Sequence, residues 1–303
     1  MRQKIKNMDR GILLMLLASL SFAVMGGFAK VLSETIPPLE VTFFRNIAGV
    51  ILVGLTLWKL PLKQSGGKPF LLLFRGTMGF LALLAYFYIM AFIPLGEAVT
   101  YNKTSPIFVA VFAYLFLGEK LPKSALLAIV VGFVGILLVA KPDGLSFDKY
   151  DLLGIFSGIG AALAYTSIRE LRKYYDTRAI VLSFMGVGTI GPVLLMLMAP
   201  YVDAPDFDFL FAEYVMPSKN EWALVIGLGL FATASQLLMT KAYELTKAGI
   251  VGTISYSNII FAVIIGTMLG DPVPDFWTIF GIILVISAGL MVSLPVGKRR
   301  INN

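Results

Sequence analysis

The chain contains neither cysteine nor histidine. Their absence excludes disulfides and metal sites built on thiolate or imidazole, and leaves any proton coupling to carboxylates. Charge is also scarce: 14% of the 303 residues are Asp, Glu, Lys or Arg, against about 25% in an ordinary soluble domain. No GxxxxGK[ST] stretch occurs, so ATP bound in a Walker loop of this chain does not supply energy. No basic stripe is interleaved with aromatic residues, so the net charge of +7 does not point to nucleic acid. No cofactor is implied.

What is present is apolar. Hydrophobic residues make up 58% of the chain and mean hydropathy is +0.85. Several runs approach the roughly 20 residues that a helix needs to cross a bilayer. The chain therefore reads as an all-α, multi-pass membrane protein with the lipid bilayer as solvent. The apolar run of the N-terminal segment continues to about Leu32, too long for a signal-peptide core, and is expected to be a retained first helix.

Splitting at Pro/Gly turns and charge clusters predicts ten helices. They cover about 11–33, 39–58, 69–92, 97–117 and 122–140, then about 152–171, 179–199, 221–243, 249–269 and 275–294. Placing both termini in the cytoplasm puts 18 of the 25 Lys and Arg on that side, as the positive-inside rule requires. Only Lys141, Lys149 and Lys219 fall outside, while Lys30, Arg45, Arg75 and Lys103 fall within spans. Apart from Asp275 at the very start of the last one, no predicted span contains Asp, so an intramembrane enzyme lacks an acid/base or metal set.

An offset of 152 aligns EAVTYNKTSPIFVAVFAYLFLGEKLP (97–122) with GIVGTISYSNIIFAVIIGTMLGDPVP (249–274), with eight of 26 positions identical. The matched Ser, Gly and Pro carry the weight, and Glu119 meets Asp271. A weaker match pairs 11–30 with 154–173. The chain is thus expected to be a duplication, 1–145 and 146–303, of five helices each. An odd number of spans makes the second half enter the membrane from the opposite side. Inverted repeats are the mark of alternating-access transporters, with the site near midplane between the repeats.

The stretches FFRNIAGVIL (43–52), FRGTMGFLALLAYFYIMAFIPLGEA (74–98), SPIFVAVFAYLFLGEKL (105–121) and the degraded SNIIFAVIIGTMLGDPV (257–273) carry a family resemblance. The chain resembles the EamA-type carriers of the drug/metabolite transporter superfamily over nearly its whole length. The FRG…SPIFVA text is close to the subgroup with S-adenosylmethionine-type carriers. The resemblance implies a secondary or facilitative transporter of a small polar metabolite, such as an amino acid, nucleoside derivative or organic anion. It also implies a cavity built from the first, third, fourth, sixth, eighth and ninth helices. Asn258 stands where the first half has Pro106, so the halves need not bind alike. The alternative readings are a membrane channel or a non-transporting membrane scaffold. The lack of compartment signals suggests a bacterial cytoplasmic (inner) membrane, and the unit is expected to act as a monomer or a homodimer.

The residues themselves single out TYNKTSP (100–106). At 1.5 Å per residue, Lys103 lies about 9 Å below the outer end of the fourth predicted helix. Pro106 is expected to bend that helix and free a carbonyl, which is tolerated where backbone lines a cavity. Tyr101, Asn102, Lys103 and Ser105 therefore form one candidate patch, and Ser255, Tyr256 and Asn258 form its counterpart in the ninth helix. Lys103 either lines the cavity or snorkels to the headgroups, paired with a residue such as Glu97. Tyr86, Tyr88, Tyr165 and Ser167 are candidates for stacking or hydrogen bonding to a substrate. Gln236 bonds a neighbouring helix or faces the cavity. Arg45, paired with Glu40, and Arg75, snorkelling to the cytoplasm, read as structural. Glu97, Glu170 and Glu244 are the carboxylates available for protons, but all lie near predicted helix ends. Glycines such as Gly26, Gly27, Gly76, Gly79 and Gly227 read as close-packing positions.

Overall fold

The computed structural model describes residues 2–59, 65–117, 123–140, 147–245, 251 and 254–293. Among these the chain is helical with no strand. The helices are α1 (Arg2–Leu32), α2 (Pro38–Lys59), α3 (Pro69–Phe92), α4 (Leu95–Asn102), α5 (Ser105–Leu117) and α6 (Lys123–Ala140). They continue with α7 (Lys149–Leu171), α8 (Thr177–Met198), α9 (Lys219–Leu245), α10 (Ser257–Met268) and α11 (Phe276–Ser293). Six of them are long and apolar enough to cross a membrane: α1, α2, α3, α7, α8 and α9. Glu119, Thr253 and the side chain of Glu244 lie outside the described residues.

Local chemistry sets the helix ends. Pro69 occupies the first turn of α3, where a missing N–H costs nothing. Asp148 opens α7 with a capping box, its side chain accepting from the Asp151 N–H while Asp151 accepts from the Asp148 N–H. Asp176 caps α8 through the Arg178 N–H. Most ends fall within three residues of the sequence-based bounds. The exceptions are α1, which already starts at Arg2, and the fourth and ninth predicted spans, each broken near its polar patch.

The helices pack in a pattern that survives exchange of α1–α6 for α7–α11. α1 lies on α9 as α7 lies on α3, α1 touches α10 as α7 touches α5, and α2 and α8 pair with each other, as do α6 and α11. Glycine permits several of these crossings. A Cβ on Gly135 of α6 would sit 2.8 Å from the Gly281 carbonyl oxygen of α11, and one on Gly281 would sit 2.7 Å from the Gly135 carbonyl oxygen. Gly227 of α9 takes the ring of Phe28 from α1.

The segment between α8 and α9 is tied to the bundle by charge. Asp208 accepts the Tyr88 hydroxyl at 2.7 Å and the Lys149 ammonium, and the Lys149 ammonium sits over the Tyr88 ring. These contacts hold the Asp208 carboxyl below its usual range despite the raising effect of partial burial. Nearby, buried Glu40 accepts from the Val215 N–H at 3.0 Å.

Candidate functional site

The fourth predicted span is two helices rather than one bent helix. α4 ends at Asn102, Lys103 and Thr104 form a turn, and α5 starts at Ser105. Pro106 therefore lies in the first turn of α5, where it starts a helix instead of kinking one. The turn is stitched locally: the Lys103 N–H donates to the Val99 carbonyl at 2.9 Å, and the Thr104 hydroxyl to the Tyr101 carbonyl at 2.6 Å.

The second half breaks at the corresponding place. Tyr256, the counterpart of Thr104 at the 152-residue offset, is a turn residue between helical Ser255 and α10. The helices bearing the two breaks pack on each other. A Cβ on Gly96 would touch Val263, and the Leu95 Cβ approaches Gly266, so α4 and α10 run antiparallel side by side.

Lys103 is half-buried and its ammonium has no hydrogen bond or ion pair among the described residues; it is not paired with Glu97. Asn102 is half-buried and Ser105 buried beside it. Asn258 is buried with its side-chain oxygen unmatched among the described residues, as is the Ser257 hydroxyl. Unmatched amide and hydroxyl groups in an apolar bundle are costly unless water or a ligand reaches them. This gives the two breaks spare donors and acceptors.

Other candidates have structural employment. The Tyr101 hydroxyl donates to Asp151 Oδ1 at 2.5 Å and its ring fills the space over Gly154, so it braces α4 against α7. The Tyr256 ring lies over Gly289 of α11, where any side chain would collide with it. Tyr88 is committed to Asp208, and the Ser167 hydroxyl to the Ala164 carbonyl. Gln236 and Ser255 are half-buried and each is engaged by a neighbour. Tyr86 is buried against Phe87.

The two arginines depart from their sequence-based reading. Arg45 does not pair with Glu40; five helical positions separate them by about 140° around the axis, and Glu40 faces Val215. Arg75 does not snorkel, being only 6% exposed, and Arg45 is 5% exposed. Both guanidinium groups pack on the ring of Phe184, at 5.3 Å for Arg45 and 5.1 Å for Arg75. Half-exposed Tyr165 is an electrostatic neighbour of both. The signal in the sequence was two cations in apolar runs without a carboxylate at helical spacing.

At the end of the bundle where α1 stops and α4 starts, Lys30 and Asp271 form an ion pair at 2.6 Å. The Lys30 ammonium also donates to the Ile93 carbonyl at 2.9 Å, and Asp271 Oδ2 accepts the Leu95 N–H at 2.7 Å. Three chain segments are thereby clamped together. The cleft left between Pro94–Glu97 and Val263–Pro274 has a volume near 10 Å³, room for about one water.

Comparison with known proteins gives consistent matches. The chain matches the EamA-like transporter family over residues 9–141 and again over 148–294. It is 34% identical to an uncharacterized transporter of Helicobacter pylori (strain J99 / ATCC 700824), covering 94% of this chain and 95% of that one. It is 34% identical to the pseudopaline exporter CntI of Pseudomonas aeruginosa, covering 93% and 95%. Identity to the S-adenosylmethionine uptake transporter of Rickettsia bellii is 23%, covering 96% of each. A solved crystal structure with 16% identity superposes with a TM-score of 0.53 over 96% of both chains, a likeness of fold alone.

Proposed function

Because this chain belongs to the EamA-like transporter family, and so is a membrane transporter, we propose that it is a secondary or facilitative carrier of a small polar metabolite, working by alternating access. The observation that carries this reading is the pair of helix breaks, at Lys103–Thr104 and at Tyr256, set at equivalent places of the two halves. Interrupted helices near the middle of a bundle provide polar backbone and side chains where a carrier holds its cargo.

In this reading residues 1–145 and 146–303 are inverted five-helix repeats with both termini cytoplasmic, in a bacterial inner membrane. The exchange symmetry of the packing and the double family match support it. The clamped Lys30–Asp271 end is then the outer face, so this conformation is closed to the outside. Lys103, Asn102, Ser105 and Asn258 are the proposed cargo contacts, with Ser255 and Gln236 flanking them. Tyr101 and Tyr256 act through position, by holding the broken helices in place. The ammonium of Lys103, without a carboxylate partner among the described residues, suits a cargo that carries an anionic group. The relatives named for pseudopaline export and S-adenosylmethionine uptake differ in cargo and in direction, so cargo has to be deduced from this chain's own residues.

The test is counterflow in proteoliposomes across amino acids, nucleoside derivatives and organic anions. A carrier shows saturable counterflow of at least one solute, and Lys103→Gln lowers it at least tenfold while the protein remains folded. Non-saturable flux would identify a channel, and unchanged counterflow in Lys103→Gln would remove Lys103 from the site.

A further inference from the structure

We infer that Arg45 and Arg75 together form a binding site for two carboxylates of one substrate, which makes the cargo a dicarboxylate or larger polycarboxylate. The inference rests on the carrier reading above and adds to it a cargo class and a second anchoring point. Both side chains belong to positions well inside their helices. Arg45 is about 10 Å from the first residue of α2, and Arg75 about 9 Å from that of α3. Both are more than nine-tenths buried.

A guanidinium presents five N–H donors and remains charged at any physiological pH. Burying one without an anion is among the most expensive arrangements in a protein. Here two are buried within about 10 Å of each other, since both rest on the Phe184 ring. Arg45 gives one N–H to Asn46 Oδ1 at 2.9 Å, and its Nε has no partner. The Arg75 guanidinium makes no hydrogen bond among the described residues, and its Nε is likewise unmatched. No Asp or Glu pairs with either among those residues.

The surroundings make room for the cations rather than neutralising them. A Cβ on Gly79 would lie 2.4 Å from Arg75 Nη1 and 2.8 Å from the Phe184 ring, so this glycine provides the space the guanidinium occupies. Asn46 is itself held by donation to the Thr42 carbonyl at 2.8 Å. Tyr165, 51% exposed, is the accessible group beside the pair. A cluster with two positive charges, unmatched planar donors and no anion among the described residues is complementary to two carboxylates, each of which a guanidinium can bind in bidentate fashion.

The test uses the full chain, purified in detergent and reconstituted. Succinate, glutarate, adipate and citrate are the probes, with butyrate and inorganic phosphate as controls. At least one polycarboxylate is expected to raise the thermal midpoint by several degrees and to show saturable counterflow, while butyrate does neither. Arg45→Gln and Arg75→Gln are each expected to weaken that effect at least tenfold; the Lys variants, which keep charge but lose the fork, fall between. If the Gln variants do not fold, the wild-type probe series decides. Absence of any polycarboxylate shift, with counterflow of some other solute, overturns the inference and leaves the carrier reading standing. A response to phosphate alone also overturns it. Failure of every solute to counterflow sinks the carrier reading, while a polycarboxylate shift lost in Arg75→Gln still upholds the site.

Discussion

Replacing Asp271 by alanine is expected to loosen the clamped end of the bundle and expose the cleft between α4 and α10. Lys30 and Asp271 are 15% and 10% exposed, so water screens their 2.6 Å contact only weakly. Removing one member of a buried pair typically costs about 3–5 kcal/mol, because the other charge is stranded. Here Lys30 would retain only the Ile93 carbonyl, and the Leu95 N–H would lose its acceptor. At the lower bound of about 3 kcal/mol, an open–closed equilibrium shifts roughly 150-fold. Asp271→Asn keeps an acceptor for Leu95 and is expected to have a smaller effect. A Lys30→Met/Asp271→Leu double variant is expected to restore most of the stability, since an apolar replacement leaves no charge stranded. The assay exploits the absence of native cysteine. Val263→Cys, placed where α10 meets Gly96, is labelled with a maleimide in each background, alongside thermal unfolding. Asp271→Ala should label at least tenfold faster and unfold at a lower temperature. Labelling rate and midpoint both equal to the parent would refute the argument that this pair holds the end shut.

Two further outcomes follow from local geometry. Gly135→Ala places a Cβ 2.8 Å from the Gly281 carbonyl oxygen, a backbone atom that cannot swing aside. It is expected to cost about 1–3 kcal/mol by thermal unfolding, whereas Gly54→Ala, with open space around it, is expected to be neutral or slightly stabilising. Glu170, just beyond the Lys149–Ile168 span, is held down to about 2 by its hydrogen bonds to Lys173 and Lys68. Because its folded value lies below the unfolded one, its contribution is complete above the ordinary carboxylate range and fades as pH falls toward 2. The stability difference between the parent and Glu170→Gln is therefore expected to be constant from pH 7 to 5 and to shrink only below that; a decline already at pH 6 would contradict this.

The candidate site was only partly legible from composition and spacing. Lys103 stands out because a lysine within an apolar run needs a reason, and its ammonium has no partner among the described residues. Tyr101 and Tyr88 looked equally available, yet their hydroxyls are committed to Asp151 and Asp208, 50 and 120 residues away. No local pattern foretells a hydrogen bond across such a separation. Arg45 and Arg75 were each explained away by a neighbour on their own helix or by snorkelling. What brings them together is Phe184, from a third helix.

The sequence alone determined the solvent and the secondary structure. Long apolar runs without cysteine, histidine or much charge belong in lipid, where a backbone that must bond to itself forms helices. It also determined the ends that carry a proline or an Asp cap, such as the starts of α3, α7 and α8, because these residues act within a few positions. Which polar groups are left unmatched was decided only by tertiary structure. Hydrogen bonding and ion pairing depend on distances of a few ångströms between helices far apart in the chain. The Lys30–Asp271 clamp, the breaks in α4–α5 and before α10, and the two arginines sharing one ring all exist only once the helices are packed.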